Sequence, residues 1–254
     1  HASAAEPVIP HKQFAQPQPA PSFADVFEEV NPAVVTISVS KPAAVEPSAG
    51  FQQSPGMMQT PGMDDFFGRF FNFPTRPQSA TPVVALGSGF FIDGDGYIVT
   101  NNHVIENAED ISVVLSDVSR LEAELVGRDP KTDLALIKVS AEHPFPALHF
   151  GNSDEARVGD WVLAIGNPFG LGGTATAGII SARGRDIRSG PYDDYLQIDA
   201  PINSGNSGGP IVNADGDVIG VNTAIFSPSG TSAGVGFAVP IDTVKRIMSD
   251  LLEL

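Results

Sequence analysis

The chain has 254 residues, 42% hydrophobic and 17% charged, with a formal net charge of −16; it can bury a sizeable core, which excludes an intrinsically disordered chain. The acidic balance argues against nucleic acid or an anionic membrane surface as a partner. With no cysteine, disulfides, thiolate metal sites and a cysteine nucleophile are excluded, and no apolar run approaches the ~20 residues of a membrane-spanning helix.

Residues 1–22, rich in Ala, Pro and Gln, read as a flexible tail. Residues 23–30 (FADVFEEV) form an amphipathic pattern that stops before Pro32, a short helix. Residues 34–39 (VVTISV) are β-branched and alternating, a strand. Residues 41–82 then make a connection of about 40 residues, a length that marks a functional or disordered segment. It is full of Pro, Gly and Gln yet carries Phe51, Met57, Met58, Met63, Phe66, Phe67, Phe70, Phe71 and Phe73. A low-complexity insertion is the plain reading; a loop docking on a neighbouring subunit or over a cleft is the sharper one.

From Val83 onward the texture is short strands with Gly-rich turns. Residues 89–92 and 97–100 flank Asp93-Gly94-Asp95-Gly96 as a hairpin. That turn is not a calcium loop, because its twelfth position is Val104, where a bidentate Glu is required. Strands are expected at 111–115, 122–126 and 134–139, and Pro144-Phe145-Pro146 marks a boundary. The second half repeats the texture at 161–165, 177–181, 196–199, 210–213, 218–222 and 236–239. PIVNADGDVIG at 210–220 echoes FFIDGDGYIV at 90–99, which suits either two barrels of similar build or two ordinary hairpins. Residues 241–254 close the chain as an amphipathic helix with Val244, Ile247, Met248, Leu251 and Leu252 on one stripe.

The stretch DAPINSGNSGGPIV at 199–212 sets Ser207 among glycines, where a tight segment can aim consecutive N–H groups into one small space. A surface turn is the competing reading. Residues 205–209 fit G-x-S-x-G, but a nucleophile elbow needs a helix after the serine and a histidine later in the chain. The histidines are at 1, 11, 103, 143 and 149, all upstream of Ser207, and a strand-like segment follows it. A histidine base therefore comes from upstream. His103 lies directly after a strand in TNNHVI; Asp133 opens the apolar LALIKV, where a carboxylate can be partly desolvated yet reach a histidine Nδ1. No H-E-x-x-H or comparable ligand spacing supports a metal or another cofactor.

TNNHVI, TDLALIKV and GNSGGP, in that order, resemble the three catalytic boxes of trypsin-like serine proteases, and specifically of the HtrA (DegP/DegQ-like) family. VALGSGFFID, RVGDWVLAIGNPFGLGGTATAGIISA, LQIDAPINSGNSGGPIVNADGDVIGVNTAIF and GVGFAVPI match as well, so the resemblance runs from about Phe23 to Leu254. It implies an all-β, chymotrypsin-like fold of two six-stranded antiparallel barrels with short N- and C-terminal helices. The first barrel would span 23–146 with the 41–82 insertion, and the second 147–240. Helix 241–254 would lead towards PDZ domains that this sequence does not contain. By role, Ser207 is the nucleophile, His103 the base and Asp133 its orienter. Gly205, Asn206 and Ser207 form the oxyanion hole. Asn222, Thr223, Ala224, Ile225, Phe226 and Ser227 hold extended substrate by strand pairing. That strand carries no charge, so a small-to-medium apolar P1 side chain is expected.

The implied function is an endopeptidase that degrades unfolded or misfolded protein in quality control, with a catalytically resting chaperone or binding module of the same fold as the alternative. The implied partners are unfolded polypeptides and further copies of the chain, as a homotrimer or multiples of it, with Phe14, Phe23 and Phe150 as candidate contacts. The implied location is the bacterial periplasm, with or without association with the membrane from that side.

Overall fold

A computed structural model describes residues 22–41, 83–168, 172–186, 194–203, 205–225 and 234–252. The tail and the long insertion lie outside these residues apart from Ser22 and Lys41, as do Phe14, Phe226 and Ser227.

Twelve strands form in the described residues, matching in number and order the twelve runs of alternating or β-branched sequence. Helix α1 (Ala24–Val30) and a 3-10 turn (Asn31–Ala33) lead into β1 (Val34–Lys41). The first barrel continues with β2 (Val83–Phe91), β3 (Tyr97–Asn101), a one-turn helix α2 (Asn102–Ile105), β4 (Asp110–Val114), β5 (Arg120–Asp129) and β6 (Leu134–Lys138). The second holds β7 (Trp161–Gly166), β8 (Thr174–Arg185), β9 (Tyr195–Ile198), β10 (Pro210–Val212), β11 (Val218–Ile225) and β12 (Gly236–Pro240), and helix α3 (Ile241–Leu252) follows.

Both sheets close, in the rings β1-β2-β3-β6-β5-β4 and β7-β8-β9-β12-β11-β10, and every pairing is antiparallel. One connectivity is used twice, which is the all-β double barrel expected. The hairpin echo is not part of that symmetry. Asp93 Oδ1 accepts the N–H groups of Asp95 and Tyr97, and Asn213 Oδ1 accepts those of Asp215 and Asp217. The turn chemistry is the same, but β2–β3 corresponds in ring position to β8–β9, not to β10–β11. The echo is therefore two hairpins sharing an Asx turn.

Each barrel has its own core: Ile37, Phe91, Ile98 and Ile137 in the first, Val162, Ile180, Ile198 and Ile211 in the second. A third cluster joins them, with Phe90 and Leu136 of the first barrel beside Ile165, Val221 and Val239 of the second. Helix α3 belongs to this joint, burying Val244 and Leu251 with Ile247 and Met248 partly covered. Leu252, expected on the same stripe, turns to solvent at 50% exposure. A Cβ on Gly127 would lie 2.4 Å from the Leu251 carbonyl, so β5 and the helix end meet backbone to backbone. At the other end Asp242 accepts hydrogen bonds from the Ser153 N–H and hydroxyl, both 2.6 Å, and from Lys245 at 2.8 Å. Strand β8 is longer than the expected 177–181 because its polar ends, Thr174 to Thr176 and Arg183 to Arg185, read locally as loop. No helix among the described residues is long and apolar enough to cross a membrane.

Candidate active site

Strand β3 delivers His103 by ending at Asn101 and turning at once into α2. Strand β6 pairs with β3 from Tyr97↔Lys138 to Asn101↔Leu134, which places Asp133 beside that turn. Asp133 has φ +56°, a left-handed conformation that Asp and Asn tolerate better than other side chains. The conformation turns both ends of the residue towards α2. Its carbonyl accepts from Asn102 N–H at 3.1 Å and from Asn101 Nδ2 at 3.0 Å. Its carboxylate accepts from His103 N–H at 2.9 Å through Oδ1 and lies 2.6 Å from His103 Nδ1 through Oδ2. The Asp133 and His103 side chains are only 3% and 8% exposed. A carboxylate only accepts, so the neutral imidazole carries its proton on Nδ1 and presents a lone pair at Nε2.

Ser207 sits in the turn between β9 and β10, 2% exposed. Gly205 and Gly208 have φ +100° and +85°. A Cβ on Gly208 would lie 2.2 Å from the Ser88 carbonyl oxygen and 2.4 Å from Thr100 Oγ1, and one on Gly205 would lie 2.3 Å from Pro168 Cβ. Conformation and space both require glycine there. The turn is tied by Asn206 N–H to Asn203 O at 3.1 Å and Gly209 N–H to Asn206 O at 2.9 Å. It is tied to β11 by Gly208 N–H to Asn222 O at 2.8 Å and Asn222 N–H to Gly209 O at 2.9 Å. Ser88 N–H donates to Ser207 O at 2.8 Å, which holds the turn against β2 beside the end of β3. Asn101 Nδ2 also donates to Thr223 Oγ1 at 3.1 Å, crossing from one barrel to the other next to His103. The serine turn and the histidine helix thus share one seam, opened by β2 and β3 and closed by β11.

The expected substrate strand is only partly free to bind. Asn222 and Thr223 are buried, and the backbone of Asn222 is committed to the serine turn. Strand β10 stops pairing with β11 at Pro210↔Val221, whereas β12 continues to Ile225. The other edge of β11 beyond Asn222 has therefore outrun its β10 neighbour. Sequence reasoning passed over the groups that join the barrels here, the side chains of Ser88, Asn101 and Thr36 and the backbone of Asn167. The signal for Ser88 was available: a G-S-G inside a strand marks close backbone approach. Among the described residues no group of three or more His, Asp or Glu is placed to hold a metal ion.

A family model described as the trypsin-like peptidase domain matches residues 87–221, which hold His103, Asp133 and Ser207. A probable periplasmic serine endoprotease DegP-like of Brucella suis biovar 1 (strain 1330) is 48% identical over 258 residues, covering 93% of this chain and 50% of its own length. A protein of the same description from Rickettsia conorii (strain ATCC VR-613 / Malish 7) is 50% identical over 237 residues, covering 91% and 46%. The chain spans about half the length of the curated relatives it matches. Among solved structures, the HtrA-type protease AlgW with a decapeptide is 40% identical with a TM-score of 0.72, covering 91% of this chain and 68% of that one. The same protease with a tripeptide has a TM-score of 0.72 at 39% identity, covering 92% and 64%.

Proposed function

The chain belongs to the trypsin-like peptidase family, among its HtrA-type proteases, and from that premise we propose that it is a serine endopeptidase cleaving unfolded or misfolded polypeptide in protein quality control. The observation that carries this reading is the double grip of Asp133 on His103, at Nδ1 and at the backbone N–H, beside the glycine-bound turn of Ser207. In it, Ser207 Oγ attacks the peptide carbonyl while His103 Nε2 takes the hydroxyl proton and returns it to the leaving amine. Asp133 keeps the tautomer and stabilises the imidazolium. The tetrahedral oxygen is received by the N–H groups of Gly205 and Ser207, joined through Asn206, each such donor being worth roughly 10²–10³ in rate.

Extended substrate pairs with the β11 edge along Thr223, Ala224 and Ile225, running towards Phe226 and Ser227. The absence of charge along that strand supports a small-to-medium apolar P1 side chain. The curated relatives are named periplasmic, which supports the same compartment here. We take the assembly to be a homotrimer or multiples of it. Phe23, whose ring lies 6.0 Å from the half-exposed Trp161, and Phe150, partly packed into the joint between the barrels, are its described candidate contacts. The test is the cleavage rate of reduced, unfolded casein against that of a tightly folded protein of equal size. Degradation of the unfolded substrate alone, lost in Ser207→Ala, supports the proposal. Binding of unfolded chains with no cleavage would replace it with the holding module.

A further inference from the structure

We propose that Ser88 is a positioning residue for the oxyanion turn, its buried hydroxyl locking the peptide between Gly205 and Asn206; this rests on the reading that Gly205 and Ser207 supply the oxyanion donors. Alternation along β2 puts Gly87 and Gly89 on the face towards the first barrel's own side chains. A Cβ on Gly87 would lie 2.6 Å from Val104 and one on Gly89 2.8 Å from Ile98. Ser88 therefore projects from the opposite face, towards the second barrel, fully buried.

There its Oγ accepts the N–H of Asn167 at 2.9 Å and donates to the Gly205 carbonyl at 2.5 Å. The direction of that bond is determined. The Asn167 N–H occupies a lone pair, and the single hydroxyl proton has the Gly205 oxygen as its acceptor. Asn167 is itself held from the other side, its carbonyl accepting from the Thr36 hydroxyl.

The consequence is a peptide pinned at both ends. Ser88 holds the Gly205 carbonyl on one side and Asn203 O holds the Asn206 N–H on the other. The Ser88 backbone N–H holds the Ser207 carbonyl. Rotation of the Gly205–Asn206 peptide, the motion that would spoil the alignment of the neighbouring Gly205 and Ser207 N–H groups, breaks two hydrogen bonds at once. With φ +100° at Gly205 the backbone itself resists such rotation little. Of the Ser88 contacts, the two made by the hydroxyl, to the Gly205 carbonyl and from the Asn167 N–H, are set by side-chain identity, so Ser88→Ala removes both and leaves the backbone bond to the Ser207 carbonyl in place.

The experiment compares wild type, Ser88→Ala, Ser88→Thr and Val39→Ala, the last a core change in the first barrel away from the turn. Turnover of a fluorogenic peptide and the affinity of a peptide boronate, which forms a tetrahedral adduct on Ser207, are measured for each. For Ser88→Ala we expect kcat to fall about 10- to 100-fold with KM changed less than about twofold, the pattern of a lost transition-state interaction. Boronate affinity should fall by the same factor, and Ser88→Thr should restore both. If the threonine variant does not fold, Ser88→Ala against Val39→Ala decides alone, because a merely structural loss lowers Tm in both without weakening the adduct. Unchanged kcat and boronate affinity in Ser88→Ala, with the wild-type adduct present on Ser207, would overturn the role of Ser88 alone. Absence of a wild-type adduct on Ser207 would overturn the triad reading and this inference with it.

Discussion

Asp133→Asn separates the chemical role of the carboxylate from its structural one. In the folded protein Oδ1 accepts the His103 N–H at 2.9 Å and Oδ2 faces Nδ1 at 2.6 Å. Asparagine keeps the shape, and it keeps the tolerance for φ +56°. The backbone N–H can only donate, so the amide oxygen must stay on it and the NH₂ group must face Nδ1. Nδ1 then becomes an acceptor and the ring proton moves to Nε2, where it opposes proton transfer from Ser207. Both hydrogen bonds survive, so stability should change by less than about 1 kcal/mol. Activity should fall by about 10⁴, the magnitude of this change in the trypsin triad, equivalent to roughly 5 kcal/mol of transition-state stabilisation. Asp133→Ala, by contrast, leaves the His103 N–H buried without its acceptor and should cost about 2–3 kcal/mol of stability as well. The assay is the second-order rate of fluorophosphonate labelling at Ser207, with ¹⁵N NMR of histidine to read the tautomer and thermal unfolding as the control. Labelling within about tenfold of wild type in the folded Asn variant would refute the assignment of His103 as a base oriented by Asp133.

Gly208→Ala should displace the serine turn, since its Cβ would meet the Ser88 carbonyl and Thr100 Oγ1 at φ +85°; the expected cost is about 3 kcal/mol together with loss of labelling, read by denaturant unfolding and active-site titration. Val118→Gly should do the reverse. Val118 is 70% exposed and β-branched at φ +63°, and relieving that conformation should stabilise by about 1 kcal/mol, seen as a Tm rise of about 2–4 °C. Burial opposes ionisation of Asp242, but hydrogen bonds from Lys245 and Ser153 outweigh it and hold the carboxyl at about 2, below the ordinary 3.8. A depressed carboxyl stabilises the fold above its unfolded value, and that contribution disappears as pH falls from about 4 to 2. With 25% of the side chain exposed, the contribution is on the order of 1–2 kcal/mol. Asp242→Asn should therefore be less stable at pH 7 and converge with wild type near pH 2, checked by urea unfolding at both.

The strands were legible because alternation and β-branching are local, and all twelve fall where those patterns lie. The seam between the barrels was not. The Ser88 hydroxyl reaches residues 79 and 117 positions away, and no window of sequence carries such a pairing. Ser88, Asn167 and Thr36 each read as ordinary polar residues until the two barrels meet. His103, Asp133 and Ser207 could be singled out because each stands at the end or mouth of a readable element, the places where a rigid scaffold presents chemistry. The left-handed turn at Asp133 was hidden, since Thr132-Asp133 before an apolar strand gives no sign of φ. Asn222 and Thr223 were expected from the family resemblance as substrate contacts, and only tertiary structure shows that both are buried.

The most direct test of the central claim is mass spectrometry of the chain after reaction with a fluorophosphonate, alongside casein cleavage, for wild type and Ser207→Ala. A single adduct on Ser207, lost in the variant together with cleavage, is the predicted result. An adduct on another residue, or cleavage that survives in Ser207→Ala, would contradict it.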